Sequence, residues 1–239
     1  MIHKTNDIYG QALLDYQNGN FTEDIKTFSS IAGEDIYPLP YLFRSFNEMP
    51  KLEQKALQLS KGKIIDVGCG AGSHSLYLQK KNKEVFAIDV SKGAIETCRL
   101  RGINNASVQD IWQLKKQQFD TILLLMNGAG MCGKLHKLTN FLNHLKTLLS
   151  PNGQILLDST DVIYMFEDEN GDYIIDVNQD YYGETTFRME YKNQKGKPFN
   201  WLYIDFNNLQ RASEFCGLQC ELILEGSHYD YLAKISFFQ

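Results

Sequence analysis

The sequence predicts an α/β protein built on one doubly wound, mostly parallel sheet, and three observations carry that prediction. From about residue 62 onward, short β-branched runs alternate with amphipathic stretches at a steady interval, the pattern of βα units feeding a single sheet. The first two runs each end in an acid and a turn, at Asp66 and at Asp89. The chain closes on two strand-like runs joined by Gly226-Ser227-His228, a turn so short that the last strand must run antiparallel to its neighbour.

The elements follow in order. Lys63 to Val67 is the first strand, Glu84 to Ile88 the second, and Ala106 to Gln109 a short third. Phe119 to Met126 is the fourth, and its run of Ile122, Leu123, Leu124 and Leu125 predicts burial on both faces. Gln154 to Asp158 is the fifth, introduced by the turn Pro151-Asn152-Gly153. Between the last two, Leu135, Leu138, Phe141, Leu142, Leu145, Leu148 and Leu149 recur at helical spacing and predict a helix lying on the sheet. Ser91 before Ala94, Ile95 and Cys98 marks a helix start, with Gly102 past its end. Asn207 to Cys216 is a further helix, and Gln219 to Glu225 with Tyr229 to Phe238 complete seven strands.

Two segments break this rhythm. Residues 1–60 are expected to form a helical cap, with helices over Ile8 to Gln17 and from Pro50 through Leu59. Residues 161–206 are expected to form an inserted hairpin, Thr185 to Tyr191 and Phe199 to Phe206 flanking Asn193-Gln194-Lys195-Gly196. The expected organisation is one domain over 1–239, with its binding core at 61–160 and the terminal helix and strand pair at 207–239.

Composition narrows the function. With 239 residues, 43% hydrophobic and 22% charged, the chain can bury a full core. Lys plus Arg number 24 against 29 acids, giving −5, and no basic block exceeds a tripeptide, so DNA is not an expected partner. The apolar run Ile122 to Met126 stops at Asn127-Gly128, far short of the roughly 18 residues of a membrane span. The polar start MIHKTND does not read as a signal peptide. Five scattered cysteines suit a reducing, cytoplasmic protein. Cys216 and Cys220 lack further ligands nearby, so they are expected in a core and no metal is expected.

The chemistry concentrates at strand ends. In Asp66-Val67-Gly68-Cys69-Gly70-Ala71-Gly72 an apolar strand ends in an acid and breaks into alternating glycines, which lets a ligand approach the main chain. Asp89, at the end of the second strand, can accept from both hydroxyls of a ribose, and Asp110, after the third, from an exocyclic amino group. Each acid has an alternative role as a helix cap. Together they form a row along the carboxyl edge, where open α/β sheets bind ligands, and they favour adenosine. Asn127, with Gly128 and Gly130, lies across the switch point, where the reactive end of such a ligand would project.

These motifs resemble the class I S-adenosylmethionine-dependent methyltransferases. DVGCGAG is similar to the first motif of that superfamily, AIDVS to its ribose-binding acid, QDIW to its adenine-binding acid, and LLSPNGQILLDS to its entry into the fifth strand. The LFR and GSHSLYL segments resemble a small-molecule methyltransferase-like branch. The resemblance implies a Rossmann-like sheet of seven strands with the last antiparallel, helices on both faces, S-adenosylmethionine as cofactor and S-adenosylhomocysteine as product. It assigns Gly68, Cys69, Gly70 and Gly72 to the methionine and ribose part, Asp66 to the amino group, Asp89 and Val90 to the ribose, and Asp110 with Ile111 to adenine. It also places Asn127 by the reactive end and lets Arg44 reach the carboxylate, against an alternative role as a surface arginine. Trp112 either covers the adenine or packs in the core.

The sequence departs from the DNA-base and glutamine N-methylating families at Asn127-Gly128-Ala129-Gly130, where those carry Asn/Asp-Pro-Pro-aromatic. A sulfonium methyl group is electrophilic unaided, so the resemblance implies in-line transfer to a small molecule, governed by alignment in a dry pocket. The strand-end rule puts Asp161 and His228 on the acceptor side; where the acceptor must lose a proton His228 is the expected base, against an alternative role as a turn residue, while His74 has no assigned role. The aromatic insert, with Tyr181, Tyr182, Tyr191 and Trp201, is expected to wall the acceptor pocket or to form a homodimer interface. Two other functions stay open: a nicotinamide-dependent oxidoreductase, disfavoured because Ser73 breaks GxGxxG, and a non-catalytic binder of S-adenosylmethionine.

Overall fold

Asp7 opens the first helix, α1 (Ile8–Gln17), by accepting the Gly10 N–H as an N-cap. The computed structural model describes residues 7–176, 178 and 180–238. After α1 come two short strands, β1 (Ile25–Ser29) and β2 (Gly33–Tyr37), the four-residue helix α2 (Leu39–Leu42), and α3 (Lys51–Leu59), which starts just after Pro50. The βα series then runs β3 (Lys63–Val67), α4 (Ser73–Lys80), β4 (Glu84–Asp89), α5 (Lys92–Leu100), β5 (Ala106–Val108), β6 (Phe119–Leu124), α6 (Leu138–Thr147) and β7 (Leu149–Thr160). The insert supplies β8 (Glu184–Tyr191), β9 (Gln194–Lys195) and β10 (Phe199–Leu202). The chain ends with α7 (Phe206–Phe215), β11 (Gln219–Glu225) and β12 (Asp230–Ser236).

The large sheet has the order β5-β4-β3-β6-β7-β12-β11. Its strands are parallel except β12, which runs antiparallel to both β7 and β11, as the short turn requires. Ile122, Leu123 and Leu124 of the central strand β6 have no exposed surface, because α3 and α4 cover one face and α6 and α7 the other. Burying each such side chain is worth about 1.5–3 kcal/mol. The polar carboxyl edge is thus fixed by an apolar strand that cannot slide.

Two boundaries differ from expectation for pairing reasons. β7 begins before the Pro151-Asn152-Gly153 turn because Leu149 already pairs with Phe119, ahead of a register shift. It runs on to Thr160 because Asp230 of β12 lies opposite that residue.

The N-terminal segment is not wholly helical. β1 and β2 form a hairpin, and β1 also pairs antiparallel with β8, so a second sheet of order β10-β8-β1-β2, with β9 on β8, joins the start of the chain to the insert. Gly33 to Ile36 are exposed, which leaves no alternation of apolar residues to betray the hairpin locally. Trp201 of β10 seats this sheet on the main one: a Cβ at Gly130 would overlap its indole. Cys216 and Cys220 are buried at the end of α7 and on β11, as core residues. Among the described residues no helix is long and apolar enough to cross a membrane, and no three His, Cys, Asp or Glu side chains converge on a metal-sized site.

Candidate active site at the carboxyl edge of the sheet

The turn after β3 is locked from several sides. The Gly68 and Cys69 N–H groups donate to the Ile88 carbonyl at 2.9 and 3.1 Å, tying the turn to β4. Gly70 and Gly72 both have positive φ, 53° and 78°. A Cβ at Gly72 would overlap Ile103 and Cys98, and one at Gly70 would fall 2.6 Å from the Tyr9 hydroxyl. Only glycine satisfies both the left-handed backbone and this close packing. Cys69 lines the resulting cavity, and its thiol is held well above its usual range by the hydrogen bond to Cys98, 3.7 Å away, and by burial.

The acids stand at the strand ends, each with a partner in the chain. Asp66 is buried, lines the same cavity and accepts from Ser75 Oγ at 2.7 Å. Asp89 accepts the Gly70 N–H at 3.0 Å through one oxygen and the Ser91 N–H at 2.8 Å through the other. Burial pushes its carboxyl up, those two N–H groups partly offset this, and the charges of Asp7 and Asp66 add to the rise. Asp89 therefore organises the glycine turn and the start of α5 at once. Val90 beside it is 70% exposed. Asp110 caps a short 3-10 turn by accepting the Trp112 N–H at 3.0 Å, with Ile111 buried beneath it. Trp112 lies half-exposed on Phe141 and His144.

Arg44 is neither a free cation nor a surface arginine. Its guanidinium donates to both Glu53 oxygens and to the Tyr41 carbonyl, and His74 Nε2 lies 2.6 Å from Glu53 Oε2. Their side chains are 4, 4 and 9% exposed, so the triad sits in a low dielectric. Burial alone would raise Glu53 and lower His74. The Glu53–His74 hydrogen bond and the surrounding charges reverse both, holding Glu53 below and His74 above its ordinary value. Arg44 Nε remains buried with no partner among the described residues, and Arg44 lines the cavity of the glycine turn.

Across the switch point, Met126 and Asn127 have φ of 62° and 60°, two successive left-handed residues that are not glycine. Asp158, near the end of β7, accepts the Asn127 N–H at 2.8 Å, and burial pushes its carboxyl up to about 7 against that hydrogen bond. Asn127 Oδ1 is buried without a partner among the described residues. Tyr182 donates to Asp161 at 2.8 Å and Tyr181 to Asp205 at 2.5 Å, so both insert hydroxyls are spent within the chain. His228 lies at the carboxyl edge, but it is exposed at the tip between β11 and β12, where among the described residues its backbone N–H alone is engaged, with Asp230.

The sequence does not single out Tyr9, Glu53 or Asp158, and it gives His74 no role. Asp158 shares the strand-end position that singled out Asp66, and the same rule would have found it. Nothing local marks Glu53, an exposed-looking acid in LEQKALQL. At the N-terminus of α4, Ser73 Oγ donates to the Leu42 carbonyl at 2.7 Å, and Arg101 donates to the Ala71 carbonyl and to Ser73 Oγ.

Comparison with known proteins agrees with this geometry. A methyltransferase-domain family matches residues 58–204. A crystal structure of an S-adenosylmethionine-dependent methyltransferase from Bacteroides fragilis, in complex with S-adenosyl-L-homocysteine, is 42% identical, with a TM-score of 0.92 over 100% of this chain and 98% of that one. Ubiquinone biosynthesis O-methyltransferases from Histophilus somni and Xanthomonas euvesicatoria are 32 and 25% identical over 28 and 43% of this chain. Those stretches span 29 and 45% of the relatives' own lengths, less than half of either. A glycine turn with acids at successive strand ends, on a seven-stranded sheet whose last strand is antiparallel, agrees with a family match over more than half of the chain: this protein belongs to the methyltransferase-domain family, among the class I S-adenosylmethionine-dependent methyltransferases.

Proposed function

We propose that this protein binds S-adenosylmethionine along the carboxyl edge of its large sheet and transfers the methyl group to a small molecule. The observation that carries the proposal is the buried Arg44 Nε, without a partner among the described residues, on a side chain that lines one cavity with the glycine turn and Asp66. A carboxylate there satisfies the donor, and Asp66 suits the neighbouring amino group. Gly68, Cys69, Gly70 and Gly72 then carry the methionine and ribose part, Asp89 and Val90 the ribose, Asp110 and Ile111 the adenine. The bound cofactor supplies an electrophilic methyl group on a sulfonium.

What the chain contributes is alignment and dryness. The glycine turn is fixed by Ile88, Asp89 and Tyr9, so the donor site is set before an acceptor arrives. The second sheet and α1 bury Ile8, Leu13, Leu39, Ala71 and Tyr191 together, which excludes water from that side. The O-methyltransferase relatives are matched over less than half of this chain, so their printed activity does not define its acceptor.

Titration calorimetry tests the proposal. S-adenosylmethionine and S-adenosylhomocysteine should bind, and NAD and NADP should not. Nicotinamide binding with no heat from either sulfur ligand would overturn it.

A further inference from the structure

Resting on the methyltransferase reading above, we propose that His74 is a positioning residue for the cofactor: held as an imidazolium by Glu53, it leaves Arg44 free to receive the methionine carboxylate, so the site grips that carboxylate only while His74 is protonated. The guanidinium is fixed on every side but one. Arg44 Nη1 donates to the Tyr41 carbonyl, Nη2 donates to both Glu53 oxygens, and the guanidinium carbon lies 3.9 Å from the centre of the Tyr41 ring. Nε is left, buried without a partner among the described residues. His74 meets the same Glu53 carboxylate from α4, with Nε2 2.6 Å from Oε2 and no hydrogen bond at its other ring nitrogen among the described residues. Arg44 and His74 both line the cavity of the glycine turn, and Glu53, on α3, joins the two.

Charge balance calls for the proton on His74. Arg44, Glu53, Asp66 and His74 are all buried, in surroundings where an uncompensated charge is costly. Two carboxylates against the guanidinium alone leave one negative charge, and the imidazolium cancels it. The methionine end of the cofactor, an ammonium with a carboxylate, adds no net charge. Asp66 suits the ammonium, and the carboxylate needs a positive partner. Without the proton on His74, Arg44 is matched by Glu53 alone and the incoming carboxylate meets a site of its own sign.

The groups facing His74 favour that proton. Burial alone would lower His74, but the hydrogen bond to Glu53 and the charges of Asp66 and Glu53 raise it, against that of Arg44. Tyr9 is held well above its usual range by burial, Cys69 by its hydrogen bond to Cys98, and Tyr41 is raised by burial, so all three stay neutral. Asp158, pushed up to about 7 by burial, titrates in the field of Glu53 and His74. As pH rises through the folded value of His74 the imidazolium proton leaves to solvent, so a ligand bearing the carboxylate binds more weakly, and one that lacks it does not respond. Binding the carboxylate in turn holds the proton on His74.

The test compares S-adenosylhomocysteine with methylthioadenosine, which keeps the adenosine and the sulfur but has no amino-acid end, by calorimetry on the full chain from about pH 6 to about 8.5. His74→Gln can still donate to Glu53 but carries no charge. At about pH 6.5 it should bind S-adenosylhomocysteine at least about tenfold more weakly than wild type, and the gap should narrow as pH rises, because wild type then loses the same charge. Its methylthioadenosine affinity should equal that of wild type, which shows the adenosine site intact. The ligand's own ammonium titrates alike in both proteins, and the gap should persist when both also carry Asp158→Asn. Equal affinities of wild type and His74→Gln, or a gap that stays constant with pH, would overturn the proposal. If His74→Gln does not fold, the Asp158→Asn protein decides: S-adenosylhomocysteine should weaken with rising pH while methylthioadenosine does not, and parallel profiles would overturn the proposal. Parallel profiles with both ligands bound leave the methyltransferase reading standing, whereas a wild type that binds neither ligand overturns that reading and this proposal with it.

Discussion

Glu53→Ala is the most demanding single perturbation of this site. Glu53 receives Arg44 through both oxygens and His74 through one, with all three side chains at most 9% exposed. Removing one partner of a buried ion pair costs about 3–5 kcal/mol, because the remaining charge stays desolvated without compensation. A domain is stable by only about 5–15 kcal/mol, so the variant loses a large share of the total. Chemical denaturation near pH 6 measures the loss. Glu53 is held below its usual value, so its contribution is present above the unfolded carboxyl range near ~4.5 and fades as pH falls. His74 is held above its usual value, so its contribution is full below about 6.5 and is lost as pH rises through its folded value. The deficit of Glu53→Ala against wild type should therefore be largest between those limits. Replacing both charges, Arg44→Met with Glu53→Met, should cost less than Glu53→Ala alone, since no guanidinium is then stranded. A single-variant loss below about 1 kcal/mol, the range of exposed pairs, would refute the reasoning.

Two further outcomes follow from the strand-end acids. Asp89→Ala should weaken S-adenosylhomocysteine binding by at least about 1.5 kcal/mol and also lower the melting temperature, because the Gly70 and Ser91 N–H groups lose their shared acceptor; calorimetry and thermal melts on one preparation check both. Asp158 has a folded value raised to about 7, so wild-type stability should fall between pH ~4 and about 7 as the unfolded chain ionises first, in a field shared with Glu53 and His74. Asp158→Asn should flatten that limb of the denaturation profile.

The chain's own pattern determined the large sheet. Alternating β-branched and amphipathic runs, three alternating glycines and a short final turn suffice for the βα series and for the antiparallel end, because handed crossovers leave few other arrangements. The strand-end row of Asp66, Asp89 and Asp110 was legible for the same reason: period and turn chemistry are local. Tertiary structure alone decided the rest. The hairpin Ile25 to Tyr37 exists because its partner, β8, arrives about 160 residues later in sequence and covers the strand that local pattern leaves ambiguous. Arg44 looks like a free surface cation until α3 brings Glu53 and α4 brings His74 against it, and a buried triad assembled from three elements has no spacing to read. Asn127 lacks a local warning for the same reason: the carboxylate that accepts its N–H is Asp158, 31 residues on, and its Oδ1 is buried without a partner among the described residues. Local sequence sets which groups reach the carboxyl edge, and burial, which is a property of the whole fold, sets which of them are spent there and which remain to meet a ligand.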